Sequence, residues 1–243
     1  AEVGIIATCG RAFVSVYQRP RVAVVSTGDE LVDVDEELSE GKILSSNSYT
    51  LSSMAAECGA DAFQLGIAKD TREALKEKLQ QALHADVIIT SGGVSEGDFD
   101  FVKDVLKELG SEMKFWKVAM KPGKPLAFGT IGGKPAFGLP GNPVSCMVCF
   151  EQFARPSLLK MMGHGKIYRP TIQATLKEDI KKKSGRKHFI RSFVRLEDGH
   201  YTVTTTGDQG SGILKSMVAA NGLLIISEEL SVLKAGDAVK VQL

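Results

Sequence analysis

Two runs constrain the fold of this chain more than anything else in it: Arg21-Val22-Ala23-Val24-Val25-Ser26 and Asp86-Val87-Ile88-Ile89-Thr90-Ser91. Both are apolar and β-branched without a helical period. Each is stopped by glycine, Gly28 after the first and Gly92-Gly93 after the second. Such runs predict strands covered on both faces, the condition of strands in a parallel sheet. The residues between them alternate accordingly. A helix is predicted over residues 47–58 with Gly59 as its terminator, then a short strand over 62–66. Thr71 caps a second helix, with Leu75, Leu79 and Leu83 inside and Glu73, Lys76, Glu77 and Lys78 in water. The pattern continues with a helix over 101–109 and strands over 115–120, 126–129 and 134–137. Pro143 then opens an apolar helix reaching about residue 162. The fold class that follows is α/β, an open, mostly parallel sheet with helices on both faces.

After Gly163 the texture changes. Short alternating segments at 171–176, 188–195, 201–206, 223–226 and 238–243, with turns at Asp198-Gly199 and Gly236-Asp237, predict a small antiparallel all-β barrel or sandwich. The expected division is an α/β domain over 19–165 and a β-barrel domain over 166–243. Residues 1–18 belong to neither and read as a remnant or linker from something preceding. The net charge of +1 demands neither nucleic acid nor an anionic membrane, and no apolar run approaches the roughly 20 residues that span a bilayer. Cys9, Cys58, Cys146 and Cys149 show no disulfide framework, and with no signal-peptide organisation the expected compartment is the reducing cytoplasm.

The chemistry concentrates where strands end. Asp29 and Glu30 follow the first strand, Asp70 the second, and Asp98 and Asp100 the third. In an open parallel sheet ligands bind beyond the carboxyl ends of the strands. Carboxylates gathered there suit Mg²⁺, which takes one or two of them plus phosphate oxygens and water. Ser91-Gly92-Gly93-Val94-Ser95 is a strand-to-helix junction whose backbone N–H groups can hold a phosphate; the alternative is a tight turn needing positive φ. Four of the eight prolines lie in Lys121-Pro122-Gly123-Lys124-Pro125 and Gly138-Leu139-Pro140-Gly141-Asn142-Pro143. They read as rigid walls of an anion site charged by Lys117, Lys121 and Lys124, or else as two tight turns.

Other features carry less. Cys146 and Cys149 have the spacing of half a zinc site but no second pair, and read as core. The run 181–187, rich in lysine, reads as a solvated hairpin tip, since no stacking aromatics interleave with it. His84, His164, His188 and His200 pair with no obvious nucleophile.

The segments Ser26-Thr27-Gly28-Asp29-Glu30-Leu31, Thr90-Ser91-Gly92-Gly93-Val94-Ser95, Lys121-Pro122-Gly123-Lys124-Pro125 and Leu139-Pro140-Gly141-Asn142-Pro143-Val144-Ser145 resemble the molybdopterin molybdenumtransferase (MoeA) family, which includes the E domain of gephyrin. The resemblance runs from about residue 19 to 243 and includes Thr204-Thr205-Thr206-Gly207-Asp208-Gln209-Gly210-Ser211. It implies Mg²⁺-dependent insertion of molybdate into adenylated molybdopterin, with release of AMP. It further implies that Glu30, Asp70 and Asp100 serve Mg²⁺ and the adenylate phosphates, Asp70 and Asp100 as metal ligands. Lys117, Lys121 and Lys124 would surround molybdate and the dithiolene. Pro140 and Pro143 match the family's loop prolines, and Arg191 and Ser211 its substrate cleft. A dithiolene nucleophile leaves no need for a catalytic serine or cysteine. The family is expected to act as a homodimer and to carry two further N-terminal domains, with a MogA-type adenylyltransferase as a possible partner. Ser45 stands where an aspartate is expected. Two rivals are a MogA-type adenylyltransferase, which lacks the small β-domain, and a gephyrin-like scaffold holding a partner peptide.

Overall fold

The chain opens on α1 (Glu2–Thr8), a helix with no buried side chain, and residues 9–19 stay exposed. The structure is a computed structural model that describes residues 1–93 and 99–243, with residues 99–101 and 103 described by their backbone alone. The first apolar run forms β1 (Arg21–Thr27), buried from Val22 onward. A small two-stranded pair, β2 (Leu31–Val32) and β3 (Ile43–Leu44), precedes α2 (Ser46–Glu57) and β4 (Asp61–Ala68). Thr71 caps α3 (Arg72–Ala82) as expected, its hydroxyl accepting from Ala74 N at 3.3 Å. The second run is β5 (Val87–Ser91), followed by α4 (Phe99–Glu108) and β6 (Glu112–Lys117). Next come β7 (Met120–Lys121), β8 (Pro125–Ile131) and β9 (Lys134–Leu139).

The expected apolar helix from Pro143 is interrupted. It divides into α5 (Pro143–Cys149), a π-helical turn (Phe150–Ala154) and α6 (Arg155–Met161). Pro156 explains the break, because it has no N–H to give the preceding turn and its ring crowds the carbonyl of Gln152.

The first sheet has the order β4-β1-β5-β9-β8-β6. β4, β1, β5 and β9 are parallel, while β8 runs antiparallel to both its neighbours. The carboxyl ends of β4, β1, β5, β9 and β6 and the start of β8 therefore share one edge. The chain leaves β1 toward β4 but leaves β5 toward β9, so the edge between β1 and β5 is a topological switch point. Period two divides the core. Val22, Val24, Val87 and Ile89 pack on Leu51, Val144 and Leu158 on one face. On the other, Ala23 and Ile88 pack on Leu75, Leu79 and Val105. Each buried Val, Leu or Ile contributes about 1.5–3 kcal/mol.

The remaining strands are β10 (Thr171–Leu176), β11 (Ile180–Lys181), β12 (Lys187–Glu197), β13 (His200–Thr205), β14 (Gly222–Ile226), β15 (Val232–Leu233) and β16 (Ala238–Gln242), with α7 (Lys215–Val218) before β14. Strands β13-β10-β16-β14-β12 close into a barrel through the β12–β13 pair, around Leu176, Val203, Leu224 and Val241. Two details differ from the sequence expectation. The β10–β13 pair is parallel, and the expected strand over 115–120 breaks at Lys117 so that β7 joins the barrel sheet beside β12. Phe189 and Leu223 of the barrel belong to the same core cluster as Val22 and Leu51.

Candidate active site

Ser26, Ser91 and Leu139 lie in one row across β1, β5 and β9, and the residues after them leave the sheet at its shared edge. Gly92 is required there. Its φ is +94°, and a Cβ would lie 2.4 Å from the Thr27 carbonyl oxygen and 2.8 Å from Thr27 Oγ1. Thr27 Oγ1 is buried and has no hydrogen-bond partner among the described residues. It lines a cavity of about 50 Å³ with Lys69, Asp70, Gly92 and Gly93. A buried hydroxyl without a partner is costly unless a ligand supplies one.

Asn47, in the first turn of α2, holds the centre of the edge. Its Nδ2 donates to Ser91 Oγ at 2.8 Å and to the Gly141 carbonyl at 2.7 Å, fastening the ends of β5 and β9 to one helix. Behind it, Ser45 Oγ donates to Ser26 Oγ at 3.2 Å and lies 3.3 Å from Ser48 Oγ. Ser45, at the position where the resemblance anticipates aspartate, is thus part of a buried hydroxyl cluster.

The acids stand at the β4–β1 side. Asp29 N donates to Asp70 Oδ2 at 3.2 Å and Asp70 N donates to Asp29 Oδ1 at 3.0 Å, so the two loops brace each other. The Lys42 ammonium donates to the Asp29 carbonyl. Glu30 folds back over Gly28, where a Cβ would lie 2.5 Å from Glu30 Oε2. Among the described residues no three His, Cys, Asp or Glu side chains form a metal cluster. Asp100 lies on α4 with its side chain outside the described atoms, and Ser95 lies outside the described residues.

The lysines stand at the β8–β6 side of the same edge. Lys117 ends β6 in register with Pro125, and Val118 N donates to the Lys124 carbonyl at 3.0 Å. Between them the cis Lys121-Pro122 bond leads into Gly123, at φ +101°, where a Cβ would lie 2.4 Å from Cys149 Sγ. Cys149 Sγ donates to the Gly123 carbonyl at 3.5 Å. Burial pushes the Cys146 thiol up to about 12 and raises Cys149 as well, so both are neutral packing groups, as expected of core cysteines.

Lys121 in β7 lies opposite His188 of β12, the strand that carries Arg191. Arg191 is 1% exposed; its Nε donates to Ser216 Oγ at 3.0 Å and its Nη2 to the Gly210 carbonyl at 2.9 Å. Burial pulls the guanidinium pKa below its usual value, with Asp208 opposing. The Gly210–Ser211 loop reaches the sheet, because Val144 N, just past Pro140, Gly141, Asn142 and Pro143, donates to the Ser211 carbonyl at 3.0 Å.

These residues line one edge in sequence but do not form one cluster. Three to five strand spacings of about 4.8 Å separate the acids from the lysines, roughly 14–24 Å. A small ion cannot touch both ends; an elongated anionic ligand can. Sequence reasoning had no signal for Asn47 or for the Thr27 hydroxyl, since each acquires its role from partners far away in the chain. The run 181–187 has no buried residue and is mostly exposed, in keeping with a solvated tip, and Lys181, Lys182, Lys183 and Arg186 border an open cleft with Lys121 and Arg191.

Two family models cover most of the chain in order: "Probable molybdopterin binding domain" over residues 23–160 and "MoeA C-terminal region (domain IV)" over 173–243. The chain is 37% identical over 241 residues to a molybdopterin molybdenumtransferase of Haemophilus influenzae, covering 98% of this chain and 59% of the relative. It is 37% identical over 247 residues to one of Nostoc sp., covering 99% and 57%. The crystal structure of a molybdopterin biosynthesis MoeA protein from Pyrococcus horikosii superposes with a TM-score of 0.82 at 34% identity, over 100% of this chain and 59% of that one. The chain therefore spans less than three-fifths of the length of these relatives. No helix among the described residues is long and apolar enough to cross a membrane.

Proposed function

Because the chain belongs to the MoeA family, pairing a molybdopterin-binding domain with a MoeA C-terminal region, we propose that it works in molybdenum cofactor biosynthesis, inserting molybdate into adenylated molybdopterin with release of AMP. The observation that carries this reading is the single edge that Asp70, Glu30, Gly92, Gly141, Lys117 and Lys124 share, long enough for an extended ligand with anionic groups at both ends. In this reading residues 19–165 bind the pterin and 166–243 close over it.

Glu30, Asp29 and Asp70 offer hard oxygen donors fitting Mg²⁺, which needs only one or two carboxylates when phosphates and water complete its shell. Asp70 and Asp100 are the proposed protein ligands. When bound, Mg²⁺ would screen the diphosphate and polarise its phosphoryl oxygens. The remaining work falls to side chains. The Gly92–Gly93 backbone and the Thr27 hydroxyl bind phosphate oxygens. Lys117, Lys121 and Lys124 hold the molybdate oxyanion against the dithiolene, lowering the repulsion between two anions. Arg191 and Ser211, with Pro140 and Pro143, position the barrel loop over the sheet edge. Adenylated molybdopterin would arrive from an adenylyltransferase of the MogA type, in the cytoplasm, with a homodimer of the longer protein as the working form.

The test is AMP release from adenylated molybdopterin in the presence of Mg²⁺ and molybdate. Asp70→Ala and Asp100→Ala should each lower it about a hundredfold, the loss typical of removing one charge-stabilising contact. Full turnover by the double variant would overturn the metal assignment.

A further inference from the structure

A further open cleft, of about 410 Å³, lies at the seam between the α/β domain and the barrel, away from the sheet edge. Asn47 starts α2 at that edge, whereas Met54 and Glu57 line the cleft from the other end of the same helix, about 10–15 Å further along its axis. Met54, Met147, Val148, Met217, Leu223 and Leu243 form the apolar wall. The three methionines come from α2, α5 and α7, so both domains contribute, and thioether side chains adapt readily to a bound shape. The polar wall carries an excess of positive charge. Glu151, on the π-helical turn, accepts from Arg169 Nε at 3.1 Å and lies 3.6 Å from Arg155 Nε. Two guanidiniums thus share one sheltered carboxylate, which is 12% exposed. The balancing charge is Glu57, which is 69% exposed and meets Arg169 Nη2 only at 3.4 Å. Arg169 Nη1 has no partner among the described residues. Gln242, 7% exposed, also lines the cleft. Its Oε1 accepts from Gln152 Nε2 at 2.8 Å, while its own Nε2 has no acceptor among the described residues. A sheltered amide N–H and a guanidinium edge that only a surface carboxylate balances are donors in want of an acceptor.

We propose that this cleft binds a small amphipathic carboxylate, its apolar tail against Met54, Met147 and Met217 and its charged head on Arg169, with Gln242 Nε2 as a further donor. Glu57 gives up its place at the guanidinium and turns to water. The exchange replaces an exposed ion pair, which contributes little, by a charge-assisted contact that the ligand's own tail shields from solvent. Because α2, α5 and the π-helical turn form one side and α7, β14 and the end of β16 the other, the ligand bridges the two domains. The site stands apart from the proposed reaction and is tested without turnover.

The probe is octanoate, followed through the ε-methyl resonances of isotope-labelled methionine in the full chain. Met54, Met147 and Met217 should shift saturably, while Met113 and Met120, which do not line the cleft, stay still. Affinity should rise about fourfold per methylene from butanoate to octanoate, the gain from burying each CH₂. Octylammonium, with the same tail and the opposite charge, should bind about tenfold more weakly or worse. Arg169→Gln should weaken octanoate about tenfold. Ala220→Phe, which adds a ring to the cleft wall, should abolish the shifts. Octanoate and octylammonium are compared on the unsubstituted protein, so that result decides the matter even if a variant fails to fold. Three unmoved methyl signals, octylammonium binding as tightly as octanoate, or undiminished octanoate binding by either folded variant would each overturn the proposal.

Discussion

The backbone N–H of Val144 donates to the Ser211 carbonyl at 3.0 Å, joining the first turn of α5 to the barrel loop before α7. Arg191 holds that barrel loop from inside, through its bond to the Gly210 carbonyl. A side chain buried in the barrel thus sets the position of a loop on the sheet edge. Its influence on turnover would run through Ser211 as well as through charge.

Arg191→Met keeps much of the packing of the stem but takes the guanidinium donor from the Gly210 carbonyl and from Ser216, whose hydroxyl keeps only its bond to the Ile213 carbonyl at 2.7 Å. Urea unfolding should show a loss of about 1–3 kcal/mol, the cost of buried groups left without partners. Ser216→Ala removes one neutral acceptor and should cost about 1 kcal/mol. A Ser216→Ala loss exceeding that of Arg191→Met would contradict this ordering.

Asn47 is read as a clamp, and two substitutions separate that from a simple packing role. Asn47→Ala loses the bonds to Ser91 and Gly141 and should lower stability by about 1–2 kcal/mol. Asn47→Asp, although closer in shape, turns an acceptor toward the Gly141 carbonyl and should fall further. Thermal unfolding of both variants checks the order, and an Asp variant as stable as the unsubstituted protein would refute the clamp.

Gly92 and Gly133 both have positive φ, +94° and +76°, but only Gly92 faces a neighbour, Thr27. Gly133→Ala should cost about 1–2 kcal/mol from backbone strain alone. Gly92→Ala should cost clearly more, because its Cβ meets main-chain oxygen that cannot turn aside. Equal denaturation midpoints for the two would mean that the Thr27–Gly92 approach is not tight.

How far the sequence reveals this arrangement depends on the range of each interaction. β1 and β5 were legible because strands buried on both faces need uninterrupted apolar runs, and the Thr71 cap because its partner is three residues away. β7 was not, since two residues carry no periodicity and their pairing with Lys187 and His188 is set by tertiary contact. The parallel β10–β13 pairing follows from the path of the chain around the barrel, which alternation cannot show. At the site, the prolines, glycines and acids marked the edge, whereas Asn47 reads locally as an ordinary helix-start residue. Its bonds reach Ser91 and Gly141, 44 and 94 residues away. Arg191 sits in a strand whose sequence gives no reason to bury a charge.

The four thiols should separate by environment. Cys9 is exposed, Cys58 is half-buried with its pKa raised chiefly by desolvation, and Cys146 and Cys149 are buried. A thiol reagent at pH 8 should label Cys9 quickly, Cys58 slowly, and the other two only in denaturant. Labelling of folded protein at Cys146 as fast as at Cys9 would reopen the question of a reactive cysteine at the edge.

The measurement that bears most directly on the shared edge is AMP release with Mg²⁺, molybdate and adenylated molybdopterin, compared between the unsubstituted protein, Asp70→Ala and Lys121→Ala. Molybdate-dependent release that drops about a hundredfold in each variant is the expected result. Unchanged release from both variants would contradict the proposal that the acidic and basic ends of this edge serve one reaction.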